Sequence, residues 1–147
     1  MRIDKFGGTS VGCAERMRSV ADIVRAAPDR DMVVVVSALS GVTSALIGGA
    51  RAAALGDADH YGTLHAQLVQ RHRQMATELL SGSAELPLLL EEIDRLLAGF
   101  AGLCGAIALL GELTMRGHDA VGSIGEELSS RMLAALLRTQ GRAAQAV

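Results

Sequence analysis

The spacing of apolar residues at the start of the chain predicts a short strand followed by a helix. Residues 2–6 alternate polar and apolar side chains, as a strand does, and the glycine pair that follows breaks this pattern. Beyond the glycines, apolar side chains recur at intervals of three and four residues. This spacing predicts a helix that is capped by Thr9 or Ser10 and ends near Ala27. Its apolar stripe consists of Met17, Val20, Ala21 and Val24.

A second strand is predicted at residues 32–36, after a turn at residues 28–31. This strand is a run of Met and Val without polar alternation, which is typical of a strand buried on both faces of a parallel sheet. The two strands and the helix between them should form one right-handed crossover unit. A turn at residues 37–43 then leads into a predicted helix at residues 43–55, which the glycines at 48–49 weaken.

The next segment has helical spacing and a more polar composition. Helices are predicted at residues 58–80 and 86–100, separated by a serine- and glycine-rich break. We expect these two helices to form a hairpin. Residues 58–100 would then be an insertion into an α/β part that comprises residues 1–57 and 101–147.

The last third of the chain gives one ambiguous and two clear signals. Residues 103–110 are uniformly apolar, and the pattern cannot separate strand from helix there. Residues 118–138 predict a helix, with Gly141 as its stop. Residues 142–147 predict the beginning of a third strand. Taken together, the elements indicate an α/β fold with a mostly parallel sheet and a helical hairpin insertion.

Composition and charge argue against several classes of protein. The 147 residues carry a formal net charge of −2 and only three aromatic side chains, so we expect no surface for nucleic acid. No apolar run approaches the roughly 20 residues that span a bilayer, and the start lacks the layout of a secretion signal, so we expect no membrane partner. Cys13 and Cys104 are expected to be reduced, packed thiols in a cytoplasmic protein. The four histidines show no metal-ligand pattern, and we predict no metal site formed by protein side chains.

The first candidate site is the segment KFGGTS near the amino terminus. A strand that ends in Gly7 and Gly8, followed by Thr9, Ser10 and a helix, is a phosphate-binding geometry, because glycines let the backbone approach an anion and free N–H groups donate to its oxygens. Lys5 adds a mobile positive charge. The alternative is a tight turn that Thr9 caps, with Lys5 in solvent.

Lys5 is also the only lysine among the fourteen lysine and arginine residues of the chain. A guanidinium is a planar fork, whereas an ammonium is a compact charge that can follow a moving phosphoryl group. A site that requires this compact charge would keep lysine even in a chain that otherwise uses arginine. The position of Lys5 therefore favours the phosphate interpretation.

Two further segments carry candidate residues. Ser37, Ser40 and Thr43 supply hydroxyl groups at the carboxyl end of the predicted buried strand, which is where ligands bind in open parallel sheets. The alternative is a plain loop in which Thr43 or the serine after it caps the next helix. Glu126, in the segment GEELSS, is suited to hold a substrate ammonium, and the alternative for it is an exposed helix face.

Three segments together resemble the aspartate kinase family. They are KFGGTSV at the amino terminus, VVVVSALSGVTS about thirty residues on, and LLGELTMRGHDAVGSIGEELSSRML after the predicted hairpin. The resemblance implies an amino-acid kinase fold, an αβα sandwich with a mostly parallel sheet. It also implies that the γ-phosphoryl group of ATP is transferred, with Mg²⁺, to the side-chain carboxylate of L-aspartate, the first step toward lysine, threonine and methionine.

Matching positions imply roles for the candidate residues. Lys5 would stabilise charge on the transferred phosphoryl group, and Glu126 would bind the ammonium of aspartate. The residues that would line the phosphate site are Gly7, Gly8, Thr9 and Ser10. The residues that would bind aspartate are Ser37, Thr43 and Glu126.

Members of this family continue well beyond the length of this chain, into the nucleotide-binding half of the sheet and regulatory domains. We therefore expect residues 1–147 to be the amino-terminal half of a catalytic domain, inactive or nearly so alone and without an adenine pocket. The alternative is a non-catalytic ligand-binding or assembly fragment, and we expect a homo-oligomer or pairing through the unfinished sheet. A kinase for glutamate or a carbamoyl compound is a third reading, which the wording of GGTSV and GVT disfavours.

Overall fold

The computed structural model describes residues 1–28 and 31–147, and within them the first two of the three predicted strands are present. Strand β1 (Arg2–Phe6) pairs in parallel with β2 (Met32–Val36), in a register that places Lys5 beside Val35. This confirms the predicted α/β fold with a parallel sheet. The predicted turn before β2 falls partly on residues 29–30, which lie outside the described part of the chain.

The two faces of this sheet differ in burial. Phe6, Val34 and Val36 point to the helices and pack into the hydrophobic core. The opposite face carries Ile3, Val33 and Val35, which remain 62%, 45% and 43% exposed. The prediction that β2 is buried on both faces is therefore wrong for this chain, because its helices cover one face of the sheet only.

Helix α1 (Ala14–Ala26) buries the predicted stripe of Met17, Val20, Ala21 and Val24. Its N-cap is Cys13, whose side chain makes no capping hydrogen bond. The prediction that Thr9 or Ser10 caps this helix is wrong. The backbone first makes a separate turn, in which the N–H of Ser10 donates to the carbonyl of Gly7 at 2.9 Å.

Four further helices follow β2 and pack on one another. They are α2 (Val42–Ala54), α3 (Ala58–Leu80), α4 (Glu85–Leu110) and α5 (Met115–Thr139). The pair α3 and α4 forms the expected hairpin, here called the helical arm. Helix α4 does not end near residue 100 but continues to Leu110, so the ambiguous segment 103–110 is helix. Its buried stripe keeps the helical spacing to Cys104 and Ile107. The division into an insertion and an α/β part stays a prediction.

A glycine permits the closest approach between α2 and α4. A side chain at Gly49 would place its Cβ 2.7 Å from Cζ of Phe100, so the ring packs directly on the backbone of α2. His65 of α3 stacks on the same ring, with a distance of 6.3 Å between the ring centroids. The glycine pair at 48–49 thus serves helix packing, and His65 contributes to the same contact.

The end of α5 is as predicted, but the segment after it is not. Gly141 has a φ of 78°, and the N–H of Arg142 donates to Leu137 at 3.0 Å, which closes the helix at a left-handed residue. Residues 142–147 do not form the predicted third strand. The carbonyl of Ala144, which strand pairing would use, accepts instead from Nη1 of Arg138 at 3.1 Å.

By length and composition, α4 is apolar enough to cross a membrane, in contrast to the expectation from the sequence. The same test is passed by core helices of proteins that contain no membrane span. Here α4 buries one stripe against the neighbouring helices, with Ile93, Leu97 and Phe100 at its centre. Packing accounts for this stripe, whereas Leu88, Leu109 and Leu110 of the same helix remain exposed.

His72 on α3 should make the stability of the fold depend on pH. Its side chain is fully buried, its Nδ1–H donates to the carbonyl of Leu68 at 2.7 Å, and its Nε2 has no partner. Burial lowers the pKa of His72 from its ordinary value of 6.5. A lowered pKa means that the neutral ring stabilises the fold above about pH 6.5, and that this stability is lost as the pH falls toward the pKa of the folded state.

We expect the free energy of unfolding to fall by up to about 1.4 kcal/mol per pH unit below that point, measured by urea titration between pH 7 and 5. His72→Leu should flatten this slope, whereas His60→Gln, at an exposed position, should leave it unchanged. An equal slope in wild type and His72→Leu would contradict the assignment.

Candidate active site

The loops that follow the two strands meet at the carboxyl edge of the sheet. The N–H of Ser37 donates to the carbonyl of Phe6 at 3.0 Å, which extends the strand pairing by one residue. Further along, Oγ of Ser40 donates to the carbonyl of Gly8 at 3.1 Å. Parallel strands bring their carboxyl ends to one edge, so two segments more than 30 positions apart in the sequence form a single surface.

Glycine at position 8 is required by the closeness of the two loops. A Cβ on Gly8 would lie 2.7 Å from the carbonyl oxygen of Ala38, which is backbone and cannot move aside easily. Gly12 is similarly confined, since its Cβ would lie 3.2 Å from both the carbonyl oxygen of Gly8 and Oγ of Ser40. The glycine-rich segment therefore follows a compact path against the second loop, where side chains at positions 8 and 12 would collide with it or be crowded.

The sheet positions Lys5 beside this loop. Lys5 is exposed, lies in β1 two residues before Gly7, and shares the outer face of the sheet with Val35. Thr9 is exposed and Ser10 is half-buried, and the carbonyl of Thr9 accepts from Nη1 of Arg16 at 2.7 Å. The predicted phosphate-site residues thus lie on one continuous stretch at the end of β1.

Helix α5, which carries Glu126, is fastened to the second loop by two neighbouring residues. Oγ of Ser129 donates to the carbonyl of Ser37 at 2.8 Å. A Cβ on Gly125 would lie 2.6 Å from Cβ of Ala38, so helix and loop are in direct contact there. Glu126 is exposed and lines a groove of about 490 Å³ between α5, β2 and the segment after α5. The lining of this groove includes none of the other predicted site residues, so the structure does not bring Glu126 together with them there.

The second loop enters α2 at a left-handed residue. Gly41 has a φ of 80° and is the N-cap of α2, which has neither a capping side chain nor an acidic residue in its first turn. The alternative that Thr43 or Ser44 caps this helix is therefore wrong. Thr43 is exposed in the first turn instead, next to N–H groups that favour an anion.

Sequence reasoning missed three residues that build this surface. Ser129 and Gly125 anchor α5 to the second loop, and Arg71 of α3 donates from Nη1 to the carbonyl of Ser40 at 2.8 Å. Ser129 and Gly125 lie in the segment GEELSS together with Glu126, but no pattern distinguished them from their neighbours. Arg71 had no signal at all, because it lies in the arm, some thirty residues from the loop that it contacts.

The described residues offer no ready-made metal cage. No group of three or more His, Cys, Asp or Glu side chains in residues 1–28 and 31–147 is arranged to hold an ion. Mg²⁺ is commonly bound through substrate phosphates and one or two carboxylates, so this finding is compatible with Mg²⁺ that arrives with a nucleotide. We assign no residue of this chain to a metal.

The two thiols should differ sharply in reactivity. Cys13 is exposed at the start of α1, which corrects the expectation that it is packed, whereas Cys104 is buried. Burial raises the pKa of Cys104 to about 11, so its reactive thiolate is scarce at neutral pH. We expect an aromatic disulfide reagent to titrate one thiol in the native protein and two after unfolding. Cys13→Ser should abolish the native reaction, and a fast second thiol in the folded wild type would contradict the burial of Cys104.

The parallel sheet and the helices that cover one of its faces match the fold of an amino acid kinase. The chain belongs to the amino acid kinase family, whose family model matches residues 1–147. Within this family, its sequence and fold match the amino-terminal catalytic region of aspartokinases.

Two curated relatives from Arabidopsis thaliana illustrate the similarity. Aspartokinase 1, chloroplastic, is 36% identical over 139 residues, which is 93% of this chain and 23% of that protein. Aspartokinase 3, chloroplastic, is 34% identical over 143 residues, which is 96% of this chain and 24% of that protein. The chain therefore spans about a quarter of the length of these relatives.

Two solved structures of an aspartokinase are similar in fold to this chain. E. coli aspartokinase III in complex with aspartate and ADP, in its R-state, matches with a TM-score of 0.79 and 29% identity, over 96% of this chain and 29% of that one. The same enzyme in complex with lysine and aspartate, in its T-state, matches with a TM-score of 0.67 and 28% identity over the same shares. The described fold is thus closer to the first of these two conformations.

Proposed function

We propose that residues 1–147 form part of the catalytic domain of an aspartate kinase, which transfers the γ-phosphoryl group of ATP to the side-chain carboxylate of L-aspartate. The observation that carries this proposal is the convergence of three segments at one edge of the sheet. The glycine loop after β1, the serine loop after β2 and α5 are joined there by the hydrogen bonds of Ser40 and Ser129. This arrangement is supported by the similarity to aspartokinases.

The glycine loop would bind the phosphates. Gly7, Gly8, Thr9 and Ser10 follow β1 directly, and Gly7, which has no side chain, is exposed. Lys5, the last residue but one of the same strand, is exposed, and its compact charge would stabilise the negative charge of the phosphoryl group during transfer. Mg²⁺, when bound, neutralises phosphate charge.

The second loop and α5 would hold aspartate. Ser37 and Thr43 flank the loop, and Glu126 is the neighbour in α5 of Gly125, which contacts Ala38 of this loop. Glu126 would bind the substrate ammonium, while the open first turn of α2 favours a carboxylate. The attacking oxygen belongs to aspartate itself, so the protein supplies position and charge rather than a nucleophile.

Binding to the chain itself tests this proposal. Lys5 is the only lysine, so ¹³C reductive methylation labels just its ε-amine and the chain's α-amine, and both keep their charge. Addition of Mg²⁺–ATP should shift the Lys5 resonance and not the other. L-Aspartate should raise the unfolding temperature more than L-glutamate does. An unchanged Lys5 resonance at millimolar nucleotide, together with no preference for aspartate, would overturn the proposal.

The assembly alternative has one observation in its favour, the uncovered outer face of the sheet with Ile3, Val33 and Val35. If it holds, the chain should associate through this face. Sedimentation velocity of the wild type and of Val33→Thr/Val35→Thr measures this directly, and a well-folded monomer at high concentration would count against it.

A further inference from the structure

The helical arm is connected to the glycine loop through two successive hydrogen bonds. Nη1 of Arg71, on α3, donates to the carbonyl of Ser40 at 2.8 Å. Oγ of the same serine donates to the carbonyl of Gly8 at 3.1 Å. These two hydrogen bonds thus connect the arm to the second loop and the second loop to the glycine loop. Each bond joins residues about thirty positions apart in the sequence.

These hydrogen bonds fix the direction of two peptide groups. A trans peptide directs its C=O and the following N–H to opposite sides. When Arg71 holds the carbonyl of Ser40, the N–H of Gly41 must point away from α3. When Ser40 holds the carbonyl of Gly8, the N–H of Thr9 must point away from the second loop. Carbonyl oxygens that would repel an anion are engaged, and N–H groups that would bind it are set free.

The guanidinium of Arg71 is also not neutralised by a carboxylate of the described residues. Within residues 1–28 and 31–147, no carboxylate lies within ion-pair distance of Arg71, whereas Arg73, two residues further along the same helix, pairs with Asp94. An unneutralised cation therefore lies beside the loop where the proposed anionic substrates bind. Its electrostatic effect and its hydrogen bond act in the same direction.

We propose that Arg71 is a positioning residue for the phosphoryl-transfer site, which orients the loop of Ser40 and, through Ser40, the glycine loop. This role assigns a function to the helical arm, which otherwise contributes only packing. As far as it concerns catalysis, the proposal rests on the proposed function; the orientation of the loops does not.

Hydrogen exchange of the 147-residue chain tests the orientation by itself. Arg71→Met keeps the apolar stem and removes the donor, and we expect amide exchange in residues 37–43 and 7–12 to accelerate roughly five- to tenfold, the effect of one lost hydrogen bond. Arg71→Lys should recover part of the protection. Arg73→Met is the matched control on the same helix, and it should leave both loops unchanged. Equal exchange in wild type and Arg71→Met, or equal acceleration in both Met variants, would overturn the proposal.

The relay through Ser40 has its own test. Ser40→Ala removes the second hydrogen bond and should accelerate exchange at residues 7–12 without freeing the carbonyl that Arg71 holds. Adding Arg71→Met to Ser40→Ala should then accelerate residues 37–43 further but residues 7–12 no further. Independent, additive acceleration of residues 7–12 would show that Arg71 does not act through Ser40.

Turnover tests the catalytic consequence. In an aspartokinase that carries this segment, Arg71→Met should lower kcat/KM roughly tenfold to a hundredfold, mainly through kcat, with partial recovery in Arg71→Lys and none of this loss in Arg73→Met. If the carrier enzyme with the wild-type segment turns over aspartate but Arg71→Met matches it, the positioning role is wrong and the proposed function stands. If the wild-type segment supports no turnover although exchange responds as expected, the orientation stands and the proposed function fails.

Discussion

Replacing Lys5 by arginine in an aspartokinase that carries residues 1–147 is expected to lower turnover by roughly a hundredfold or more, the loss that follows removal of one donor aimed at developing charge. The formal charge is unchanged in this variant. What changes is its shape, because a guanidinium spreads the charge over a planar fork and cannot replace a compact ammonium next to a moving phosphoryl group. Steady-state kinetics with saturating ATP and aspartate measure the effect.

The fold should tolerate the same substitution. Lys5 is exposed, and exposed substitutions usually change stability by less than about 0.5 kcal/mol, so the thermal midpoint of Lys5→Arg should match the wild type. Arg25→Lys, the reverse exchange at an exposed position of α1, is the control and should leave turnover unchanged. Wild-type activity in Lys5→Arg would refute the assigned role of Lys5.

Substituting Gly125 by alanine should be the most damaging small change to the fold. The added Cβ would lie 2.6 Å from Cβ of Ala38 and 3.3 Å from Cγ1 of Val42, in a fully packed contact between α5 and the second loop. Neither neighbour can yield by rotating a long side chain. We expect a loss of about 1–3 kcal/mol in the free energy of unfolding, the usual cost of overpacking, measured by urea titration.

Gly122 provides the matched control for this experiment. It lies one turn earlier in α5, and its added Cβ would meet Cδ1 of Ile47 at 3.9 Å, an ordinary contact. Gly122→Ala should therefore stabilise the protein by up to about 1 kcal/mol, since alanine is the better helix former. The same substitution at two positions three residues apart should thus have opposite signs. Stabilisation by Gly125→Ala would mean that helix and loop are not in contact.

The sequence predicted those features of the fold that depend on local pattern. The stripe of Met17, Val20, Ala21 and Val24 made α1 recognisable, and the unbroken run of β2 indicated a parallel sheet. What failed depended on neighbours that a pattern does not record. Val33 and Val35 have the composition of buried strand residues, but nothing in the chain tells which face lacks a covering layer.

The candidate site shows the same division. Lys5, Gly8 and Glu126 were singled out because their types and local spacing carry chemistry, and the structure places Lys5 and Gly8 at the carboxyl end of β1 and Glu126 on the neighbouring helix α5. Arg71 was not identified, because it is one of thirteen arginines in the chain and differs from the others only in what it contacts. Its partner is a backbone carbonyl, and a backbone carbonyl leaves no trace in the sequence.

The uncovered face of the sheet bears on how strongly Lys5 can act. Ile3, Val33 and Val35 stand in water on the same face as the ammonium, so the surroundings of Lys5 have a high dielectric constant in this chain. Two unit charges 4 Å apart attract with about 1 kcal/mol in water but about 4 kcal/mol at an effective dielectric constant of 20. A protein layer packed on these three side chains would displace that water. The attraction between Lys5 and a nearby negative charge would then rise severalfold without any movement of Lys5.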